Sequence, residues 1–255
     1  MALNTTKYAI MDVFDKTTTP TEQFYTFGKI WSPRLGISYQ LNPLKNIYSS
    51  VSKGFSTPLV GETLTPEGQI NSNLKPELGV NYELGFKGYW LQSKLYTELS
   101  LYSTQISNLL VARRTGNDQY VGVNAGKSSH RGIEFVLNYE LLKTSNFEIN
   151  TYLSGSFNDF RFIDFVDKGI DYSQNRLTGV PNQQWSTGID VTTTNGFEFN
   201  TSLMGMGKIP MNDSNTKYSD SYQLLDVKAT YSFTILKILK SKLSGGINNL
   251  LNRKY

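Results

Sequence analysis

From about residue 30 to the end, this 255-residue chain repeats an apolar–polar alternation of period two. In Val80–Lys87, Val80, Tyr82, Leu84 and Phe86 fall on one side, and Asn81, Glu83, Gly85 and Lys87 on the other. Ile133, Phe135, Leu137, Tyr139 and Leu141 alternate with Glu134, Asn138 and Glu140. Phe147, Ile149, Leu153 and Phe157 alternate with Glu148, Asn150, Ser154 and Asn158. Leu225, Val227, Ala229, Tyr231 and Phe233 alternate with Asp226, Lys228, Thr230 and Ser232. Successive side chains of a strand point to opposite faces, so each run predicts a strand with one apolar and one polar side. The pattern predicts about ten strands, at roughly 30–41, 46–54, 79–90, 93–108, 119–141, 146–160, 183–194, 196–208, 221–234 and 241–249.

The connections alternate too. Short turns are expected near Asn42–Lys45, Trp90–Ser93, Leu142–Asn146, Thr194–Gly196 and Leu236–Lys240, and long ones at 55–78, 109–118, 161–182 and 209–220. One end of the sheet is then tightly closed and the other carries large polar loops, as in outer-membrane barrels. A tilted membrane strand needs about 9–11 residues, and the alternation from Tyr120 to Leu141 exceeds that. Tyr89, Trp90, Tyr139, Phe147, Phe197, Phe199, Tyr231 and Phe233 gather beside the short turns, where an interfacial aromatic girdle belongs.

Composition agrees with two faces in different solvents: aromatics reach 13%, with 16 Tyr and 14 Phe, while apolar residues as a whole reach only 38%. The absence of Cys removes disulfides and thiolate metal sites. The net charge is +4, but its Lys and Arg are scattered rather than striped, so nucleic acid is not an expected partner. No window supplies the roughly 18 apolar residues of a spanning helix. Met1–Asp15 lacks the basic start and apolar run of a signal peptide.

Three stretches resemble the C-terminal barrel half of TonB-dependent outer-membrane receptors. They are Ser32–Pro58 (SPRLGISYQLNPLKNIYSSVSKGFSTP), Asn73–Gly88 (NLKPELGVNYELGFKG) and Gly245–Tyr255 (GGINNLLNRKY). The motifs have physical readings of their own. Pro76 suits the entrance to a strand, because it cannot donate to a ladder and holds Lys75 extended. Glu83 falls on the polar face, and Asn248, Asn249 and Asn252 can end a strand through local backbone bonds.

The resemblance implies an all-β fold, an antiparallel up-and-down transmembrane β-barrel of which this chain supplies about ten of ~22 strands. Residues 1–29 are expected to be a loop or strand remnant and 30–255 the C-terminal part of the barrel, with the plug domain and final strand absent. The implied function is import of a metal chelate, a ferric siderophore or ferric citrate, across the Gram-negative outer membrane, with no enzymatic activity and no cofactor. The implied partners are the chelate, the TonB–ExbB–ExbD complex, and outer-membrane lipid and lipopolysaccharide. Alternatives are a passive porin or adhesin barrel and a secreted carbohydrate-binding β-sandwich.

Candidate ligand contacts are Arg113, Arg114, Tyr120 and His130, expected at the loop end. Adjacent guanidiniums can hold an anionic chelate, though a loop contact with lipopolysaccharide phosphates, or plain solvation, is their simpler use. His130 is the single histidine, too few for a metal site, and suits a hydrogen bond to ligand or loop. Met204 and Met206 fall on the polar side, with Met211 in the next loop; packing is the simpler use of their thioethers, and Cu(I) the alternative. Asp164, Asp167 and Asp171 lack calcium-loop spacing and are expected to be solvated.

Overall fold

The computed structural model describes residues 2–11, 22–65, 70–114, 120–124, 126–236 and 238–254, without the side chains of Gln23, Ala112, Arg113, Arg114 and Tyr120. Among these residues, eighteen strands and one short helix appear in the order β1 (Ala2–Asn4), β2 (Lys7–Met11), β3 (Glu22–Thr26), β4 (Ile30–Ser32), β5 (Arg34–Asn42), β6 (Lys45–Ser56), α1 (Val60–Thr63), β7 (Glu77–Trp90), β8 (Leu95–Ser107), β9 (Leu110–Arg114), β10 (Tyr120–Asn124), β11 (Lys127–Lys143), β12 (Phe147–Asp164), β13 (Val166–Asp167), β14 (Ile170–Asp171), β15 (Gln183–Thr193), β16 (Phe197–Met206), β17 (Tyr222–Ile235) and β18 (Leu239–Ile247). Ten of them form one sheet, ordered β18-β17-β16-β15-β12-β11-β8-β7-β6-β5. Every pairing in it is antiparallel, giving the expected meander.

The register confirms the two faces. Ile133 lies opposite Leu101 and Phe157, and Leu84 opposite Leu101, on the apolar face. Glu134 lies opposite Ser100 and Ser156 on the polar face. Among the described residues no second sheet covers the apolar side. Leu35 is 77% exposed, Ile37 72% and Leu84 51%, and the only buried large hydrophobics described are Phe27, Leu74, Phe162 and Phe165, all outside that face. Exposed apolar area on this scale does not belong in water. It suits strands that cross lipid, with backbone groups satisfied by their neighbours. No described helix is long and apolar enough to cross a membrane, which leaves strands untested.

The polar face is cross-linked by side chains. The Tyr48 hydroxyl donates to Glu83 Oε1 at 2.8 Å and Ser100 Oγ to the same oxygen at 3.3 Å. Lys87 pairs with Glu98 at 2.6 Å, and Tyr96 donates to Glu98 Oε2 at 2.9 Å.

Several expectations need correction. The strand expected at 119–141 is two: β10 leaves the sheet to pair with β9, and β11 begins at Lys127. Between them Gly126 takes φ +52°, and a Cβ there would overlap the carbonyl of Asp164, so the backbone can bend at this point without a side chain in the way. The connection expected at 109–118 therefore holds a strand, β9. That expected at 161–182 holds the end of β12 and the β13–β14 hairpin. Pro33 divides the strand expected at 30–41 into β4 and β5, its carbonyl still accepting from Lys53 N–H. Tyr89 leaves the expected girdle: it lies opposite Tyr96 on the polar face, their ring centroids 5.0 Å apart. Trp90 keeps its place on the apolar face, with Lys45 Nζ 3.4 Å above its ring.

Candidate functional site

On the apolar face of β8, β11 and β12 the hydrophobic row ends at Leu101, Ile133 and Phe157. The next row toward the long loops is Ser103, Arg131 and Asp159, where this face of the three strands turns polar. At this height the polar face carries an aromatic cluster. His130 stacks on Phe160, from the adjacent strand, with centroids 4.4 Å apart and planes inclined by 21°. Tyr102 meets the edge of Phe160 at 6.4 Å, and its hydroxyl donates to Asn158 Oδ1 at 2.8 Å. Ser128 Oγ lies 3.0 Å from His130 Nε2 and is fully buried.

Burial pushes the His130 pKa below the ordinary imidazole value, because the charged ring would lose hydration there. A neutral ring stacked on Phe160 presents a flat, weakly polar surface suited to planar or aromatic ligand groups. Tyr102, Asn158 and Phe160 were not among the candidate contacts, although the alternation had placed Asn158 on the polar face. The signal that points to Tyr102 is Gly132, which the ring lies across.

Arg113, Arg114 and Tyr120 have their backbones in the β9–β10 hairpin, where Arg114 and Tyr120 are register partners and Arg113 faces Val121. Their side chains lie outside the described residues. The structure thus brings Arg114 and Tyr120 together and leaves His130 on the main sheet. The hairpin is anchored by polar side chains: Glu77 Oε1 accepts from Leu110 N at 2.6 Å, Asn124 Nδ2 donates to the carbonyls of Asn108 and Lys75, and Asn124 Oδ1 accepts from Lys75 N.

The long loops are joined in series. Tyr8 donates to Pro58 O and Tyr25 to Leu74 O, with Phe27 buried between the two tyrosine rings. Asn71 Nδ2 donates to Gly122 O, tying the next loop to the β9–β10 hairpin. Phe162 and Phe165 pack with Leu109, Val111, Tyr172 and Leu177, joining that hairpin to the loop after β12. That loop is bound in turn to the 209–220 connection: Asn215 accepts from Arg176 N at 2.6 Å and donates to Arg176 O, and Thr178 donates to Asp213. Among the described residues, each long loop is therefore tied to the next.

Among the described residues no group of three or more His, Cys, Asp or Glu can hold a metal. Asp164 ends β12, while Asp167 and Asp171 occupy β13 and β14; Asp171 accepts from Ser173 N–H at 2.8 Å. The Ser173 hydroxyl, and then that N–H, hold the Asp171 carboxyl below its ordinary pKa. Met204 and Met206 lie on the polar face opposite Ser186 and Gln184, and Met211 is 63% exposed.

Residues 8–250 match the family model described as TonB dependent receptor-like, beta-barrel. The ferric-pyoverdine BN7/BN8 receptor of Pseudomonas putida is 33% identical over 112 residues, 44% of this chain and 13% of the receptor. The vitamin B12 transporter BtuB of Photobacterium profundum is 23% identical over 98% of this chain and 39% of the transporter. In fold, the siderophore receptor PiuA from Acinetobacter baumannii superposes with a TM-score of 0.70 at 20% identity, covering 95% of this chain and 34% of PiuA. The chain thus spans a minority of the length of each of these proteins.

Proposed function

The chain belongs to the TonB-dependent receptor-like β-barrel family, and we propose that its protein imports a ferric chelate, a siderophore or ferric citrate, across the Gram-negative outer membrane. In this reading residues 30–255 form the C-terminal part of the barrel wall and residues 1–29 belong to the loop region preceding it. The polar face lines the lumen, the apolar face meets lipid and lipopolysaccharide, and TonB with ExbB–ExbD supplies the energy. His130, with Arg113, Arg114 and Tyr120 on their hairpin, contacts the incoming chelate at the loop end.

One observation carries the reading: a ten-stranded meander exposes an apolar face that no described element covers, and its opposite face is polar and cross-linked. A transported anion would meet cations and aromatic faces at the mouth before it met the polar wall. Cobalamin is the second cargo to test, because the BtuB likeness extends along 98% of the chain.

The experiment is uptake of radiolabelled iron, as ferric pyoverdine and as ferric citrate, by iron-starved cells with and without the intact gene, in strains with and without a functional TonB. Uptake that needs both the gene and TonB is the expected result. Cobalamin uptake without iron uptake would replace the cargo, and uptake indifferent to TonB would replace the mechanism by a passive barrel.

A further inference from the structure

One row of register partners crosses the polar face at its loop end. Arg34 on β5 lies opposite Ser52 on β6, Ser52 opposite Asn81 on β7, and Asn81 opposite Thr104 on β8. Thr104 in turn lies opposite His130 on β11, whose other partner is Phe160. Directly opposed residues leave the same face of a sheet, so all six share the polar side. The two ends of the row differ in chemistry. At one end the His130 ring stacks on Phe160 at 4.4 Å. At the other, Arg34 is exposed and has no hydrogen bond or ion pair among the described residues. Between them the Thr104 hydroxyl donates to Asn81 Oδ1 at 2.7 Å, leaving the N–H groups of that amide as donors. The row contains no carboxylate. Other cations of this face lie nearer the short turns, where Glu98, Glu148 and Glu198 hold Lys87, Lys143 and Lys242.

Spacing decides what can use both ends. Arg34 and His130 stand four strand intervals apart, about 19 Å along the wall. A chelate as compact as ferric citrate engages one end only. We infer that this row reads a larger ferric chelate by its two extremities. A flat aromatic group lies against the His130–Phe160 stack, a carboxylate at the far edge of the molecule pairs with the Arg34 guanidinium, and Ser52 and Asn81 donate to oxygens between them. Guanidinium and carboxylate form paired, charge-assisted hydrogen bonds, and ring stacking adds contact that an aliphatic chelate does not make. This inference rests on the import reading above and narrows its cargo to an aryl chelate with a peripheral acid, Arg34 being the residue that selects for the acid.

The test uses the full-length protein purified from outer membranes in mild detergent, with affinities measured by isothermal titration calorimetry. The probes are a ferric pyoverdine bearing a free side-chain carboxylate, the same compound with that carboxylate amidated, and ferric citrate. Wild type is expected to bind the free-carboxylate form at least tenfold more tightly than either other probe. Arg34→Gln should lose at least tenfold toward that form and no longer distinguish it from the amide, because the two changes remove one shared interaction. His130→Ala should weaken both pyoverdine forms by the same factor. Heat-modifiable electrophoretic mobility reports whether each variant is folded; should Arg34→Gln not fold, the amidated probe on wild type decides. A folded Arg34→Gln that still prefers the free carboxylate, or a wild type that binds the amide or ferric citrate as tightly, overturns the assignment and leaves the import reading intact. A folded wild type that binds none of the three probes overturns the import reading itself.

Discussion

The ring of Tyr102 lies across Gly132, its cross-strand partner, in space that a Cβ at position 132 would occupy. The same relation recurs between Tyr48 and Gly85, Tyr152 and Gly188, Phe135 and Gly155, and Trp185 and Gly205, each a directly opposed pair. A large ring covers the backbone that a strand glycine leaves bare, on the polar and apolar faces alike. At Tyr102 the arrangement also fixes the ring edge against Phe160, on which His130 stacks.

Replacing Gly132 by Ala forces the Tyr102 ring off its bed and crowds the Phe157 carbonyl. The expected cost is about 1–3 kcal/mol, the usual range for overpacking. Urea unfolding of the vesicle-inserted protein measures it. Gly54→Ala is the matched control, because nothing lies within 4 Å of the Cβ it would gain. Equal effects at the two positions would remove the packing argument.

Acid should loosen the His130 cluster. Burial lowers the imidazole pKa in the folded protein, so the neutral ring is the form the fold prefers. Its contribution is complete above the unfolded value of about 6.5 and is lost as pH falls through the lowered folded value. As the single histidine, His130 gives one resolvable proton NMR titration, expected to centre below 6.5. His130→Phe should keep the stack and abolish the acid sensitivity of hydrogen exchange in residues 128–132.

Asn215 is expected to hold two loops at once. Asn215→Ala leaves Arg176 N–H and C=O without their side-chain partner, at a cost of about 1–3 kcal/mol if they stay buried. Hydrogen exchange should accelerate together in residues 174–179 and 210–217, while 57–65 stays protected. Acceleration confined to one loop would show that the two are not coupled.

Adjacent substitutions test the assignment of faces. Leu137→Arg places a guanidinium on the apolar side, where a charge near mid-membrane costs about 2–4 kcal/mol. Asn138→Arg places the same group on the polar side and should assemble almost normally. The yield of heat-modifiable protein in outer membranes distinguishes them; similar yields would mean that the two sides do not meet different solvents.

Much of the wall was legible because alternation is a local property. Val80, Tyr82, Leu84 and Phe86 declare a face wherever the strand ends up, and Asn42–Lys45 or Thr194–Gly196 declare a turn from their neighbours alone. The apparent strand through residues 119–141 misled because β10 and β11 keep one rhythm across a bend. The bend shows only in Gly126, whose φ of +52° and closeness to Asp164 belong to the folded chain. Among the candidate contacts, His130 was legible as a lone polar group, but its partner Phe160 was not.

The alternating pattern alone determined that this chain makes a two-faced antiparallel sheet with turns at one end and loops at the other, because side-chain direction along a strand follows from the backbone itself. Only the tertiary structure decided how the loops join. Tyr8 reaches Pro58 across 50 positions, Arg176 meets Asn215 across 39, and Arg161 faces Arg176 through a bridge. Contacts at such separations depend on register and on the path of every intervening turn, which no short window of sequence contains.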